Sequence, residues 1–121
     1  MPVKKIMVVD DSPTERLILT DLLTRNGYTV VAADSGEKAI SMSREEMPDL
    51  IIMDVVMPGM NGFQATRTIS RQEGTSHIPI IMCTSKDLET DKIWAMRQGA
   101  QHYLVKPADH DELLAKIASF N

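Results

Sequence analysis

The sequence predicts a doubly wound α/β domain, a five-stranded parallel sheet covered by helices on both faces. Three observations predict it. Short runs rich in Val, Ile and Leu recur five times, the pattern of strands buried on both faces. Between them lie longer segments of helical period, bounded by helix start and stop residues. Strands that alternate with helices in this way form parallel sheets, because a parallel pair needs a crossover connection and that crossover is right-handed.

The first strand is expected at residues 6–9 and runs directly into Asp10 and Asp11. "SPTE" then reads as a capping box, with Ser12 as N-cap, Pro13 at the first helical position and Glu15 reaching back. Leu19, Leu22 and Leu23 mark the inner face of this helix and Gly27 closes it. The second strand is expected at 29–33, followed by a helix capped by Asp34 or Ser35 that ends before Pro48. The third, at 50–53, ends in Asp54. Asn61 caps a third helix that stops around Gly74. The fourth strand is expected at 80–83, with Thr84 after it and a helix from Asp87 to Gln98 stopped by Gly99. The fifth, at 103–105, leads into Lys106, and a last helix from Asp109 to Phe120 carries Leu113, Leu114, Ile117 and Ala118 at helical spacing. The Lys106–Pro107 bond is a candidate cis peptide.

Composition narrows the function. At 121 residues, 43% apolar and 25% charged, the chain matches one ordinary globular domain, expected to occupy residues 1–121 with no output domain. A net charge of -4 and a pI near 5.3 argue against a nucleic-acid partner, which requires clustered Lys and Arg. The apolar runs are too short for a membrane span and the N-terminus has no cleavage-site pattern, so a soluble, cytoplasmic protein is expected. A single cysteine, Cys83, excludes an internal disulfide and any multi-cysteine metal site; within "IPIIMC" it reads as a buried apolar residue. His77, His102 and His110 lack ligand spacing and read as surface residues. The nine methionines read mainly as core filler, whereas Trp94 is equally compatible with core and with an exposed docking surface.

Function is concentrated at the strand ends. In a doubly wound sheet, ligands sit beyond the carboxyl ends of the strands where the winding reverses, which in the 2-1-3-4-5 order lies between the first and third strands. Asp10 and Asp11 end the first of these and Asp54 ends the other. Three carboxylates in one place repel, so a proton or a cation must offset them. A hard divalent ion fits; Mg2+ takes oxygen ligands, keeps several waters and needs no His or Cys. Thr84 adds a hydroxyl and Lys106 a positive charge. Together these groups form an electrostatic clamp for an incoming phosphoryl group, with Asp54 as the nucleophile that becomes an aspartyl phosphate.

Over the whole chain this pattern resembles the receiver domains of two-component response regulators. The resemblance is carried by Asp10-Asp11 after the first strand, Asp54 with "MPGMNG" just after it, Thr84 thirty residues past Asp54, Lys106 twenty-two past Thr84, and "YLVKP" with Tyr103. It implies a flavodoxin-like (βα)5 fold with strand order 2-1-3-4-5. It also implies phosphorylation of Asp54 by a phosphohistidine, the partner being a histidine kinase or phosphotransfer domain. Asp11, Asp54 and the main-chain carbonyl of Val56 would then hold Mg2+ directly, Asp10 acting partly through water. Thr84 and Lys106 would bind phosphoryl oxygens, and Tyr103 would reorient as Thr84 moves. Such a domain is expected to be a monomer that is no enzyme beyond its own phosphorylation and dephosphorylation, and to engage an effector through its fourth helix, fifth strand and fifth helix. "VDDSPTE", "VMPGMNGFQATR", "SKDLETDKIWAMRQGA" and "YLVKP" are similar, more narrowly, to stand-alone receivers of the chemotaxis-like pathways governing type IV pilus twitching motility.

The sequence also departs from the family pattern. Ala108 follows "KP" where many receivers carry an aromatic residue, and Val56 and Lys86 occupy positions that influence water access to the phosphoryl group. Two other functions fit the same acids. A phosphate sink would drain a shared kinase. An aspartyl-phosphate hydrolase predicts a second acid two residues past the nucleophile, where Val56 stands instead. A flavin-binding module would need a Gly- or Ser/Thr-rich phosphate loop after the first strand, and "DDSPTE" places negative charge there.

Overall fold

In the computed structural model, which describes residues 2–121, the strands are β1 (Lys5–Val9), β2 (Thr29–Ala33), β3 (Leu50–Met53), β4 (Ile80–Thr84) and β5 (His102–Val105). All pair in parallel in the order β2-β1-β3-β4-β5, as expected. The helices are α1 (Pro13–Arg25), α2 (Gly36–Glu46), α3 (Gly62–Arg71), α4 (Glu89–Gln98) and α5 (His110–Ala118).

Strand alternation divides the core in two. Ile6 and Val8 of β1, Leu50 and Ile52 of β3, and Ile81 and Cys83 of β4 face Leu19 and Leu23 of α1 and Leu113 and Ile117 of α5. Their neighbours Met7, Val9, Ile51, Met53, Ile80 and Met82 face Ala39 of α2, Phe63, Ala65 and Ile69 of α3, and Ala95 of α4. Each fully buried Ile, Leu or Met contributes about 1.5–3 kcal/mol relative to exposure, which is why a continuous apolar run serves the central strands. From β1 the chain winds outward to β2 through α1, then returns on the other face through α2 to β3. The winding therefore reverses between β1 and β3, and the crevice opens at their carboxyl ends.

Several ends differ from expectation. Ser12 caps α1, its hydroxyl accepting from the Glu15 amide at 3.3 Å, but Glu15 does not return the bond. The Ser12 N–H donates instead to Asp10 Oδ1 at 2.9 Å, so a site carboxylate takes the donor a capping box would use. α3 has the reciprocal box, Asn61 with Gln64, and stops at Arg71 rather than near Gly74 because the Thr75 hydroxyl turns back to the Ile69 carbonyl at 2.8 Å. α4 starts at Glu89 rather than Asp87, with Asp91 Oδ2 accepting from the Leu88 N–H at 3.3 Å. Ser35, not Asp34, caps α2, and α5 ends at Ala118.

Met7, Met53, Met57 and Met82 are buried, while Met47 and Met96 are exposed. Trp94 lies on the outside of α4, 46% exposed, so it is not a core residue. His102 is half-buried rather than a surface residue, its ring edge-on to Phe120 at 5.5 Å, and burial pulls its pKa down. Among the described residues no helix is long and apolar enough to cross a membrane.

Candidate functional site

Asp10, Asp54 and Lys106 sit where the sheet's own hydrogen bonding still reaches. The Asp54 amide donates to the Val9 carbonyl at 2.9 Å and the Asp10 amide to the Ala33 carbonyl at 3.2 Å. The Lys106 amide donates to the Thr84 carbonyl at 2.8 Å. These bonds extend the ladder just past the strands, so the side chains leave the sheet from a rigid edge rather than from loose loops. Asp10 is 2% and Asp54 7% exposed, Thr84 is fully buried, and Asp11 is exposed.

The acids converge. Asp10, Asp11 and Asp54 each offer an oxygen within 4.8 Å of the others. Lys106 Nζ lies 2.6 Å from Asp10 Oδ2 and 3.6 Å from Asp54 Oδ2. Burial raises the pKa of Asp54, with the Asp10 charge acting in the same direction; Lys106, Thr84 and the Val55 N–H, 2.8 Å from Asp54 Oδ1, oppose the rise. For Lys106 burial works against the charge, yet the hydrogen bond to Asp10 and the Asp54 and Asp10 charges together raise its pKa. The Asp54 carboxylate, held against an ammonium and two further acids, has one oxygen pinned by an N–H and the other 3.6 Å from Lys106 Nζ. That arrangement can bind a cation and present an oxygen nucleophile to an electrophile arriving from solvent.

The donor set suits a hard ion. It consists of carboxylate oxygens, with no imidazole or thiol in the cluster. Lys106 engages Asp10 at 2.6 Å and Asp54 at 3.6 Å, whereas Asp11 is exposed. Cys83 is buried behind the site with its thiol pushed up to about 11, mainly by burial, which keeps it protonated and unreactive.

Val56 lies in the loop after β3 with its side chain exposed, lining a groove with Asn61, Phe63 and Lys86. Tyr103 is half-buried on β5, and its hydroxyl donates to the Lys86 carbonyl at 2.8 Å. The Lys86 amide points back to Thr84 Oγ1 at 3.4 Å and its ammonium pairs with Asp91 at 3.7 Å. Lys86 therefore links Thr84, Tyr103 and the start of α4. The Lys106–Pro107 peptide is cis.

Two contributors escape sequence reasoning. Arg16 reaches back from α1 to donate to the Asp10 carbonyl at 2.7 Å, and in the sequence it is only one more charged residue on a helix. Gly62 opens α3 so close to the main chain of Asp54 that an added Cβ would stand 2.0 Å from the Asp54 carbonyl oxygen. The signals available for it were a glycine at a first helical position, where a side chain would ordinarily be tolerated, and its place at the end of "MPGMNG".

Comparison with known proteins agrees with this geometry. The family model described as response regulator receiver domain matches residues 6–118. Protein PilH of Pseudomonas aeruginosa is 50% identical over 113 residues, covering 93% of each chain. Among solved structures, the chemotaxis protein CheY4 of Vibrio cholerae superposes with a TM-score of 0.91 at 31% identity, covering 98% of this chain and 99% of that one. The receiver domain of the sensor histidine kinase PA1611 of Pseudomonas aeruginosa, 30% identical with a TM-score of 0.89 over 98% and 97% of the two chains, holds a magnesium ion coordinated in its active-site cleft.

Proposed function

The chain belongs to the response regulator receiver domain family, and from that premise we propose that it is a stand-alone phosphoacceptor switch whose phosphorylated residue is Asp54. Receiver domains are signalling proteins that work with histidine kinases or phosphotransfer proteins, and the donor in this reading is a phosphohistidine. A carboxylate oxygen of Asp54 attacks phosphorus as the phosphorus–nitrogen bond breaks, and the departing imidazole nitrogen keeps the electron pair. Asp11, Asp54 and the Val56 carbonyl would hold Mg2+, with Asp10 acting partly through water. The ion would supply charge neutralisation for the acids and the phosphoryl oxygens.

The protein's own groups do the rest. The single observation that carries the reading is Lys106 Nζ, 2.6 Å from Asp10 and 3.6 Å from Asp54, because it places a fixed positive charge where phosphoryl oxygens arrive. Thr84, buried at the next strand end, offers its hydroxyl to the same oxygens. Drawing Thr84 toward them pulls on the Lys86 segment that Tyr103 holds, which carries the change to α4, β5 and α5, the face proposed for effector binding. The likeness to PilH and the helix-surface stretches noted in the sequence support a place in twitching-motility signalling. A monomeric cytoplasmic protein is the form we propose.

Incubation with acetyl phosphate and Mg2+ tests the reading. Intact mass should rise by one phosphoryl group in the natural chain and not in Asp54→Asn. A chain that stays unmodified sinks the proposal, and sustained turnover of added phosphate esters would mean a hydrolase. The decay rate of the phosphorylated form then separates an output messenger from a phosphate sink, which loses the group quickly.

A further inference from the structure

We propose that Arg16 is a positioning residue for divalent-cation binding, acting through the peptide unit that joins Asp10 to Asp11. The inference rests on the Mg2+ reading above. Arg16 is a half-buried residue of α1, and its Nη1 donates to the Asp10 carbonyl at 2.7 Å. That distance is in the range of a charge-assisted bond. The carbonyl of Asp10 and the amide of Asp11 belong to one planar unit, so holding the oxygen sets the direction in which the chain delivers Asp11.

Asp11 needs such help more than the other two acids. Asp54 is tied through its amide to Val9 and through Oδ1 to the Val55 N–H. The Asp10 side chain is fixed by Lys106 and the Ser12 N–H. Asp11 is exposed, and among the described residues no hydrogen bond to its carboxylate is recorded, yet an oxygen of it lies within 4.8 Å of the other acids. Its restraint comes from the two flanking peptide units, the following one through the Ser12 N–H bond to Asp10 Oδ1 and the preceding one through the Arg16 contact to the Asp10 carbonyl.

A bland alternative gives the opposite sign. If Arg16 were only a positive charge near the acids, its removal would relieve repulsion of an incoming cation and tighten binding. If it positions Asp11, removal weakens binding. Calorimetric titration of Mg2+ at fixed ionic strength separates the two. For Arg16→Met the Kd should rise about tenfold, the scale of one lost charge-assisted hydrogen bond. Arg16→Lys, which keeps the charge but not the fork, should fall between. Arg25→Met should match the natural chain, since Arg25 makes only an exposed pair with Asp21 at 3.2 Å. Unchanged or tighter binding in Arg16→Met overturns the proposal, as does Arg16→Lys behaving as the natural chain.

A metal-free readout keeps the two readings apart. NMR relaxation of the Asp11 amide, measured without any divalent ion, should give a lower order parameter in Arg16→Met than in the natural chain, and equal values overturn the proposal. Failure of the natural chain to bind Mg2+ would instead remove the functional reading, leaving the Asp11 amide to decide the role of Arg16.

Discussion

Replacing Asp54 by Asn should make the metal-free protein more stable. At an effective dielectric of about 20, Lys106 at 3.6 Å attracts the Asp54 charge by about 4.6 kcal/mol, while each acid, taken at the 4.8 Å upper limit of its separation, repels it by about 3.5 kcal/mol. Two repulsions exceed one attraction by about 2.4 kcal/mol, and burial of Asp54 adds to the cost. Asp11 is exposed, so water screens its share and the net lies near 1–2 kcal/mol. An Asn side chain keeps an oxygen for the Val55 N–H and carries no charge. Asp54→Asn should therefore gain about 1–2 kcal/mol at pH 7, or about 4–8 °C in Tm for a domain of this size.

The pH dependence follows from the sign of the shift. The folded protein raises the pKa of Asp54, so the native state holds its proton more tightly than the unfolded chain does. The contribution of the protonated group is fully present below the unfolded value of 3.8 and lost as pH rises through the folded pKa. The advantage of Asp54→Asn should accordingly be full above that folded pKa and vanish below 3.8. Added Mg2+, binding the native acids, should narrow or reverse it. Urea unfolding followed by far-UV circular dichroism, with and without the ion, measures all of this. An Asn variant less stable than the parent at pH 7 without metal, or a difference independent of pH, would refute the reasoning.

Three further outcomes are expected. Lys106→Met strands the buried Asp10 carboxylate and should cost about 3 kcal/mol in urea unfolding at pH 7, part of it recovered with Mg2+; a neutral result would mean that the 2.6 Å pair contributes nothing. Gly62→Ala must push α3 away from the Asp54 carbonyl and should lose about 3 kcal/mol, whereas Gly74→Ala, with open space around it, should lose only the strain of its left-handed backbone. Tyr103→Phe should cost about 1 kcal/mol for the bond to Lys86. It should also remove a phenol transition near 12, pushed up by burial and by the Asp91 charge, so a missing transition near 10 would contradict that environment.

Much of the fold could be read from local pattern. Five apolar runs became five strands within a residue or so, since a side chain's partition between water and core depends on its own chemistry. Helix ends were less legible. At Ser12 a carboxylate two residues earlier took the amide that Glu15 was expected to bind, and at Thr75 a hydroxyl stopped α3 early. Such outcomes depend on which partner is nearer by fractions of an ångström. Trp94 shows the same limit, because a lone aromatic on a charged helix carries no local sign of which way that helix faces.

From the order of residues alone came the strand-helix alternation, the parallel sheet and the placement of Asp10, Asp11, Asp54, Thr84 and Lys106 at strand ends, because all three follow from periodicity and from the rule that parallel strands end on one edge. The tertiary structure decided which groups touch. It set Lys106 against Asp10 more closely than against Asp54, gave the Tyr103 hydroxyl to Lys86, brought Arg16 to the Asp10 carbonyl and laid Gly62 on the back of Asp54. Contacts between residues far apart in the chain depend on crossing angles and on exclusion of volume in a packed core, neither of which any single segment encodes.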